Sequence, residues 1–269
     1  LQGWRGRARR PHGQGALISQ RDCEVAAAAR NGHLPSMPYD ASETPASPAK
    51  QPPIFNAPLI VVIMSLLLVA FYAAFAFAPF ADQQAALYDF ALAPERFWAA
   101  AGSSRVYPDV VSGLMTLAST ALLHGDWMHV IVNALMLLAF GTPVARTFGK
   151  GPGAWGLWLV VFLGSVIAGS ALYLAFATVE TPYAVGASGG TSGLVAAAFL
   201  LDPYGMKRKL WDKEFLKFTF AFGLANAVLT FVAPSLLGMG LAWEAHLGGY
   251  IAGAVLMAVL PVKGYRVES

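Results

Sequence analysis

The sequence predicts an all-α integral membrane protein, a bundle of six transmembrane helices with a membrane-associated first loop. Three observations carry that expectation. The 269 residues are 57% hydrophobic and 12% charged, with a mean hydropathy of +0.55, a balance outside the range of ordinary soluble domains. Apolar runs of membrane-spanning length recur along the chain. The basic residues cluster in the loops and tails beside those runs, so the formal charge of +3 reads as a topology signal and not as a nucleic-acid footprint. No phosphate loop, Cys-rich metal pattern or nucleic-acid-binding module is present, and Cys23, the single cysteine, has no partner for an intramolecular disulfide.

Residues 1–56 hold Arg5, Arg7, Arg9, Arg10, scattered prolines and the run Ser42-Glu43-Thr44-Pro45-Ala46-Ser47-Pro48. Such a segment buries too little apolar surface to offset its ordering entropy, and a disordered cytoplasmic tail is expected. It lacks the apolar core of a secretory signal, although its arginines weakly resemble an organellar transit peptide. The helical domain is expected over 57–262, with a cytoplasmic C-terminal tail at 263–269.

The first span, Leu59 to Phe80, has twenty-two residues without a charge, enough at 1.5 Å per residue to cross about 30 Å of hydrocarbon. A polar connection follows. Val110 to Leu123 is apolar, but its fourteen residues are too few to cross comfortably. Further spans are expected at Trp127 to about Thr147, Ala154 to Thr178, Ser188 to Leu201, Phe218 to Leu237 and Leu241 to Leu260. With six spans and the N-terminal tail inside, sixteen of the eighteen basic residues are cytoplasmic, leaving only Arg96 and Arg105 outside. A seventh crossing at Val110 to Leu123 would turn Lys207-Arg208-Lys209 outward, so that run is expected to be re-entrant or interfacial.

Polar chemistry stands in or beside these apolar runs. His124, His129 and His246 do so, and Gly186-Ala187-Ser188-Gly189 opens the fourth span. Imidazoles at membrane depth are costly unless partnered or lining a cavity, so they mark a functional site by default. The span from Ser188 reaches only about 21 Å. Its Gly-rich start therefore belongs below the outer surface, lining a watery cavity in which the Ser188 hydroxyl sits. His246 lies early in the last span, near the same outer depth. Gly186, Gly189, Gly190 and Gly193 permit close helix approach, which is also their bland reading. His129 and Asn133 share one helical face; two donors there suit a developing oxyanion, and they suit interhelical hydrogen bonding equally. A metal reading of the three histidines finds no carboxylate at ligand spacing except Asp126. Gly190-Thr191-Ser192-Gly193 repeats the serine pattern one turn on, but Ser192 would leave only about 15 Å of helix before the Lys207 cluster. Glu244, two residues from His246, points off its face, and Trp127, Trp243 and Tyr183 fall at span ends, where amphipathic rings prefer the interface.

From about Leu59 to Val262 these residues resemble the rhomboid family of intramembrane serine proteases. The motifs are the Gly186-Ala187-Ser188-Gly189 turn, His124 with His129-x-x-x-Asn133, and His246-x-x-Gly249-x-x-x-Gly253. The resemblance implies a rhomboid-like bundle with a Ser–His dyad, Ser188 as nucleophile and His246 as base. It implies that His129, Asn133 and the Ser188 backbone N–H stabilise the oxyanion, with His124, Gly186, Gly189, Gly249 and Gly253 in support and no cofactor or metal. Two departures stand out: Ser192 occupies the place, four residues after the serine, where the family often has an aromatic, and Ala145 replaces a glutamate often found beside the arginine after the second span.

The expected partners are membrane-anchored protein substrates and the lipid bilayer, with no nucleic acid. Substrate would enter laterally, past the fifth span and the loop at 232–240. A bacterial inner membrane fits the six-span arrangement of this family. Two other functions compete: a catalytically inactive rhomboid-like protein that binds transmembrane clients, and a transporter with a histidine proton relay, which lacks a visible inverted repeat.

Overall fold

The computed structural model describes residues 56–99, 107–237 and 240–263. The expected tails, apart from Asn56 and Lys263, lie outside them. The described residues are helical, with two isolated β-bridges, Leu92 to Ala184 and Leu201 to Lys207.

Helix α1, Leu59–Ala76, ends four residues before its expected limit. Pro79 has no N–H to bond the Phe75 carbonyl, and Ala78 donates to it instead at 3.2 Å. The chain turns there into α2, Phe80–Phe90, and a single turn, α3, Pro94–Phe97. Asp109 caps α4, Val110–Ser119, accepting from the Ser112 N–H at 2.8 Å. A tighter turn, Thr120–Leu122, extends α4, so the short apolar run is one thirteen-residue helix.

Asp126 caps α5, Trp127–Met136, by accepting from the His129 N–H at 2.8 Å. This carboxylate, the one that a metal reading needed, is engaged in capping. One wide, π-helical turn at Leu137–Gly141 joins α5 to α6, Thr142–Phe148. Pro143 causes it, since it lacks the N–H that an α-helix would send to the Ala139 carbonyl. Side chains repair the ladder: Thr142 Oγ1 donates to Leu138 O at 2.6 Å and Trp158 Nε1 to Gly141 O at 3.0 Å.

Four helices follow: α7, Pro152–Phe176; α8, Ser188–Phe199; α9, Lys213–Leu237; and α10, Trp243–Val259. Helix α9 begins five residues before the expected Phe218, because Asp212 accepts from the Glu214 and Phe215 N–H groups at 3.0 and 3.3 Å and starts the helix inside the basic loop. Among the described residues, four helical stretches are long and apolar enough to cross a membrane: Leu59–Ala76, Trp127–Phe148, Pro152–Phe176 and Lys213–Val232. Helices α8 and α10, with 12 and 17 residues, are shorter.

Helix α8 is the centre of the bundle, and every residue from Gly189 to Ala197 is buried. Helices α7 and α10 make the most extensive contacts with it and with each other, whereas α9 touches α8 and α10 sparsely and is the least buried of the four long helices. Basic side chains close the opposite end from Ser188. Lys207 Nζ donates to Ala258 O and Leu260 O at 2.7 and 3.0 Å, and Arg208 Nε donates to Leu201 O at 3.1 Å. These cations satisfy carbonyls left over where α10 and α8 end.

Candidate active site

The segment before α8 is fixed from three sides. Leu92 and Ala184 exchange backbone hydrogen bonds at 3.1 and 2.8 Å, Thr120 Oγ1 donates to Ala184 O at 2.6 Å, and the Gly186 N–H donates to Thr120 O at 2.9 Å. His124, fully buried, takes the Ala187 N–H on Nε2 at 3.5 Å. Ser188, the first residue of α8, is therefore held on a braced turn. It is half-buried and lines a small cleft with Leu92, Thr120, Val166, Ser170 and Ala245. Ser192, one turn deeper, is buried.

Gly186 has φ +122°, a backbone conformation that a side chain disfavours. It also has no room for one, because an ideal Cβ there would lie 2.6 Å from Cε1 and 2.7 Å from Nε2 of His129. The His129 ring thus rests on the serine turn. Its Nδ1 accepts from the Gly125 N–H at 3.5 Å, which leaves Nε2 as the protonated nitrogen facing the turn. Asn133 is buried one turn below. Its Nδ2 donates to His129 O at 3.0 Å and its Oδ1 accepts from Thr191 Oγ1 at 3.2 Å, tying α5 to α8. In this arrangement its amide is engaged with protein groups on both sides.

Helices α8 and α10 run parallel in backbone contact. A Cβ on Gly249 would overlap Gly189 O, and one on Gly253 would overlap Gly193 O, so the crossing repeats at a four-residue interval on both helices. At the top of the crossing, a Cβ on Gly189 would meet Ala245 O at 3.3 Å. The residue after Ser188 therefore touches the residue before His246. His246 is half-buried and its Nδ1 hydrogen-bonds Asn226 Oδ1 of α9 at 2.8 Å. Among the described residues no hydrogen bond joins Ser188 Oγ to the His246 ring. The His129 and His124 rings meet edge to face at 5.0 Å, and Tyr72 of α1 packs edge to face on His124 at 6.3 Å.

The family model of the Rhomboid domain matches residues 111–263, more than half of the chain. The chain belongs to the rhomboid family. Similar proteins include an uncharacterised protein of Mycobacterium leprae, 31% identical over 151 residues, covering 55% of this chain and 56% of that protein. RHOMBOID-like protein 12, mitochondrial, of Arabidopsis thaliana is 29% identical over 172 residues, 57% of this chain and 48% of that protein. An uncharacterised protein of Mycobacterium tuberculosis is 30% identical over 161 residues, 58% of this chain and 62% of that protein. The chain spans about half to three fifths of the length of these curated relatives.

Within this rhomboid-family bundle the candidate residues occupy one end of α5, α8 and α10. Of the two departures from the family pattern, Ala145 is buried, and Arg146 beside it donates to Asn56 O at 2.6 Å, so the arginine has a carbonyl partner in place of a glutamate. Sequence reasoning passed over Asn226. Its signal was an amide inside the apolar run Phe218 to Leu237, where a polar group needs a partner.

Proposed function

We propose that this chain is a six-span intramembrane serine endopeptidase that cleaves transmembrane proteins in or near their membrane segment through Ser188 and His246. One observation carries the reading: the Gly189–Gly249 crossing sets the starts of α8 and α10 side by side, while Gly186 seats the His129 ring on the serine turn. In the proposed reaction Ser188 Oγ attacks the scissile carbonyl carbon as its proton passes to His246 Nε2. The carbonyl oxygen takes the negative charge, facing His129 Nε2–H, the Ser188 N–H and the second N–H of Asn133 Nδ2, whose first bonds His129 O. Collapse breaks the C–N bond, and His246 returns the proton to the departing amine. Water then adds to the acyl-serine, again losing a proton to His246, and the C–O bond of the ester breaks as His246 returns that proton to Ser188 Oγ, releasing the carboxylic acid. The missing Ser188–His246 hydrogen bond is compatible with this, since catalytic contacts are often long before substrate binds.

In this reading residues 57–262 form the protease domain, α8 and α10 complete the six spans, and the basic end faces the cytoplasm of a bacterial inner membrane. The substrate helix must unwind before its amide is attacked, so helix-destabilising Gly, Pro or polar residues near the outer face are expected at the cleavage site.

The unjoined Ser188 and His246 also favour a second reading, an inactive rhomboid-like protein that binds transmembrane clients. Covalent labelling of the purified protein by a fluorophosphonate separates the two. Labelling lost in Ser188→Ala and His246→Ala but kept in Ser192→Ala supports the protease. A folded parent that takes up no probe supports the client-binding reading, and loss only in Ser192→Ala moves the nucleophile one turn down.

A further inference from the structure

We propose that Asn226 is a positioning residue that fixes the tautomer of His246. The inference rests on the Ser188–His246 reading above and adds to the dyad a third group, carried on the most loosely packed long helix.

The geometry determines the direction of each hydrogen bond. Asn226 Nδ2 lies 3.4 Å from Trp243 O, and a carbonyl oxygen can only accept, so the amide nitrogen is on that side. The amide oxygen then faces His246 Nδ1 at 2.8 Å. Because Oδ1 also only accepts, Nδ1 must carry the ring proton. A neutral imidazole has one N–H, so its lone pair is left on Nε2, the nitrogen that has to take the proton of Ser188 Oγ. After that transfer both ring nitrogens bear protons. The Nδ1–H remains on Asn226, and the proton given to the leaving amine departs from Nε2. Asn226 orients the base without accepting a proton itself.

Simple helix adhesion is already supplied elsewhere. Thr219, Phe222 and Asn226 lie on one face of α9, spaced three and four residues apart, and His246 and Tyr250 lie one turn apart on α10. At the lower level Phe222 stacks on Tyr250 with centroids 4.3 Å apart, and the Thr219 and Tyr250 hydroxyls are 2.8 Å apart. The Asn226 contact is the upper level of the same seam, and its acceptor falls on the imidazole.

The test uses the full chain with 15N-labelled histidine in detergent. With five histidines in the sequence, a His246→Gln control assigns the relevant signals. The expected parent spectrum has His246 protonated at Nδ1. Asn226→Ala is expected to lose that single tautomer and to slow fluorophosphonate labelling at least tenfold, while Asn226→Asp, which keeps an acceptor oxygen, retains the Nδ1–H signature and labels faster than the Ala form. An unchanged tautomer in Asn226→Ala, or an unchanged labelling rate, overturns the proposal. Should the Ala form not fold, the Asp form decides: a retained Nδ1–H tautomer supports the proposal and a switch to Nε2–H overturns it. A parent that takes no probe defeats the protease reading, while the nitrogen spectra still decide whether Asn226 holds the ring.

Discussion

The Cα of Gly249 lies so close to the carbonyl oxygen of Gly189 that a methyl group on it would overlap that oxygen. Both partners are helical backbone, so neither yields by a rotamer change. Gly249→Ala is expected to push α8 and α10 apart, costing about 1–3 kcal/mol and at least ten-fold in probe labelling. Gly156→Ala on α7, where a Cβ meets nothing within 4 Å, is the control and should remain within about 1 kcal/mol of the parent. Chemical unfolding in detergent, run beside the labelling assay, measures both.

Gly186 separates stability from reactivity. Its positive φ and the His129 ring both oppose a side chain. Gly186→Ala should displace the imidazole while the buried helices persist, so the helical circular-dichroism signal stays and labelling falls. His129→Ala should lower labelling by about 10²-fold if its Nε2–H serves the oxyanion. Equal labelling in parent and His129→Ala would remove His129 from that role.

Lys207 bonds two carbonyls at the end of α10. Lys207→Met leaves both without that donor and is expected to cost about 0.3–2 kcal/mol. Hydrogen exchange resolved by residue should show the loss in the last turn of α10 and leave the Ser188 turn protected.

Asp109 predicts an acid limit for α4. The Ser112 backbone N–H, and after it the Ser112 hydroxyl, hold its carboxyl below the usual carboxylate range. A group depressed in the folded state contributes stability that is present above its unfolded value of about 3.9 and is lost as pH falls through the lower folded value. Faster amide exchange in the first turn of α4 is therefore expected only below about pH 4. Asp109→Ala should show fast exchange there at neutral pH as well.

Much of the architecture was legible because hydropathy and proline act locally. The long spans were found to within a few residues, and their errors have local causes: Pro79 stops α1 early, and Asp212 starts α9 inside a charged loop that hydropathy discounts. The glycines could be flagged for close approach, but which backbone each one meets is a tertiary fact. The same holds for the site. Ser188, His129 and His246 stand out as polar groups in apolar surroundings, whereas Asn226 acquires meaning only when α9 is placed against α10. The engagement of the Asn133 amide with His129 O and Thr191 was likewise invisible to spacing, which gives a shared face but not the side-chain partners.

The wide turn at Leu137–Gly141 acts as a phase shifter. An extra residue in a helical turn rotates everything beyond it by about 100° relative to an unbroken helix. The upper part of this rod presents His129 and Asn133 to the serine helix, while the lower part offers the Thr147 hydroxyl to the Gly205 carbonyl. Deleting one residue from the turn would leave Pro143 without a matching turn and make a worse fit, since aligning either end would swing the other away from its neighbour. The two ends are thus tuned separately, and a residue count, not a side chain, keeps them in step.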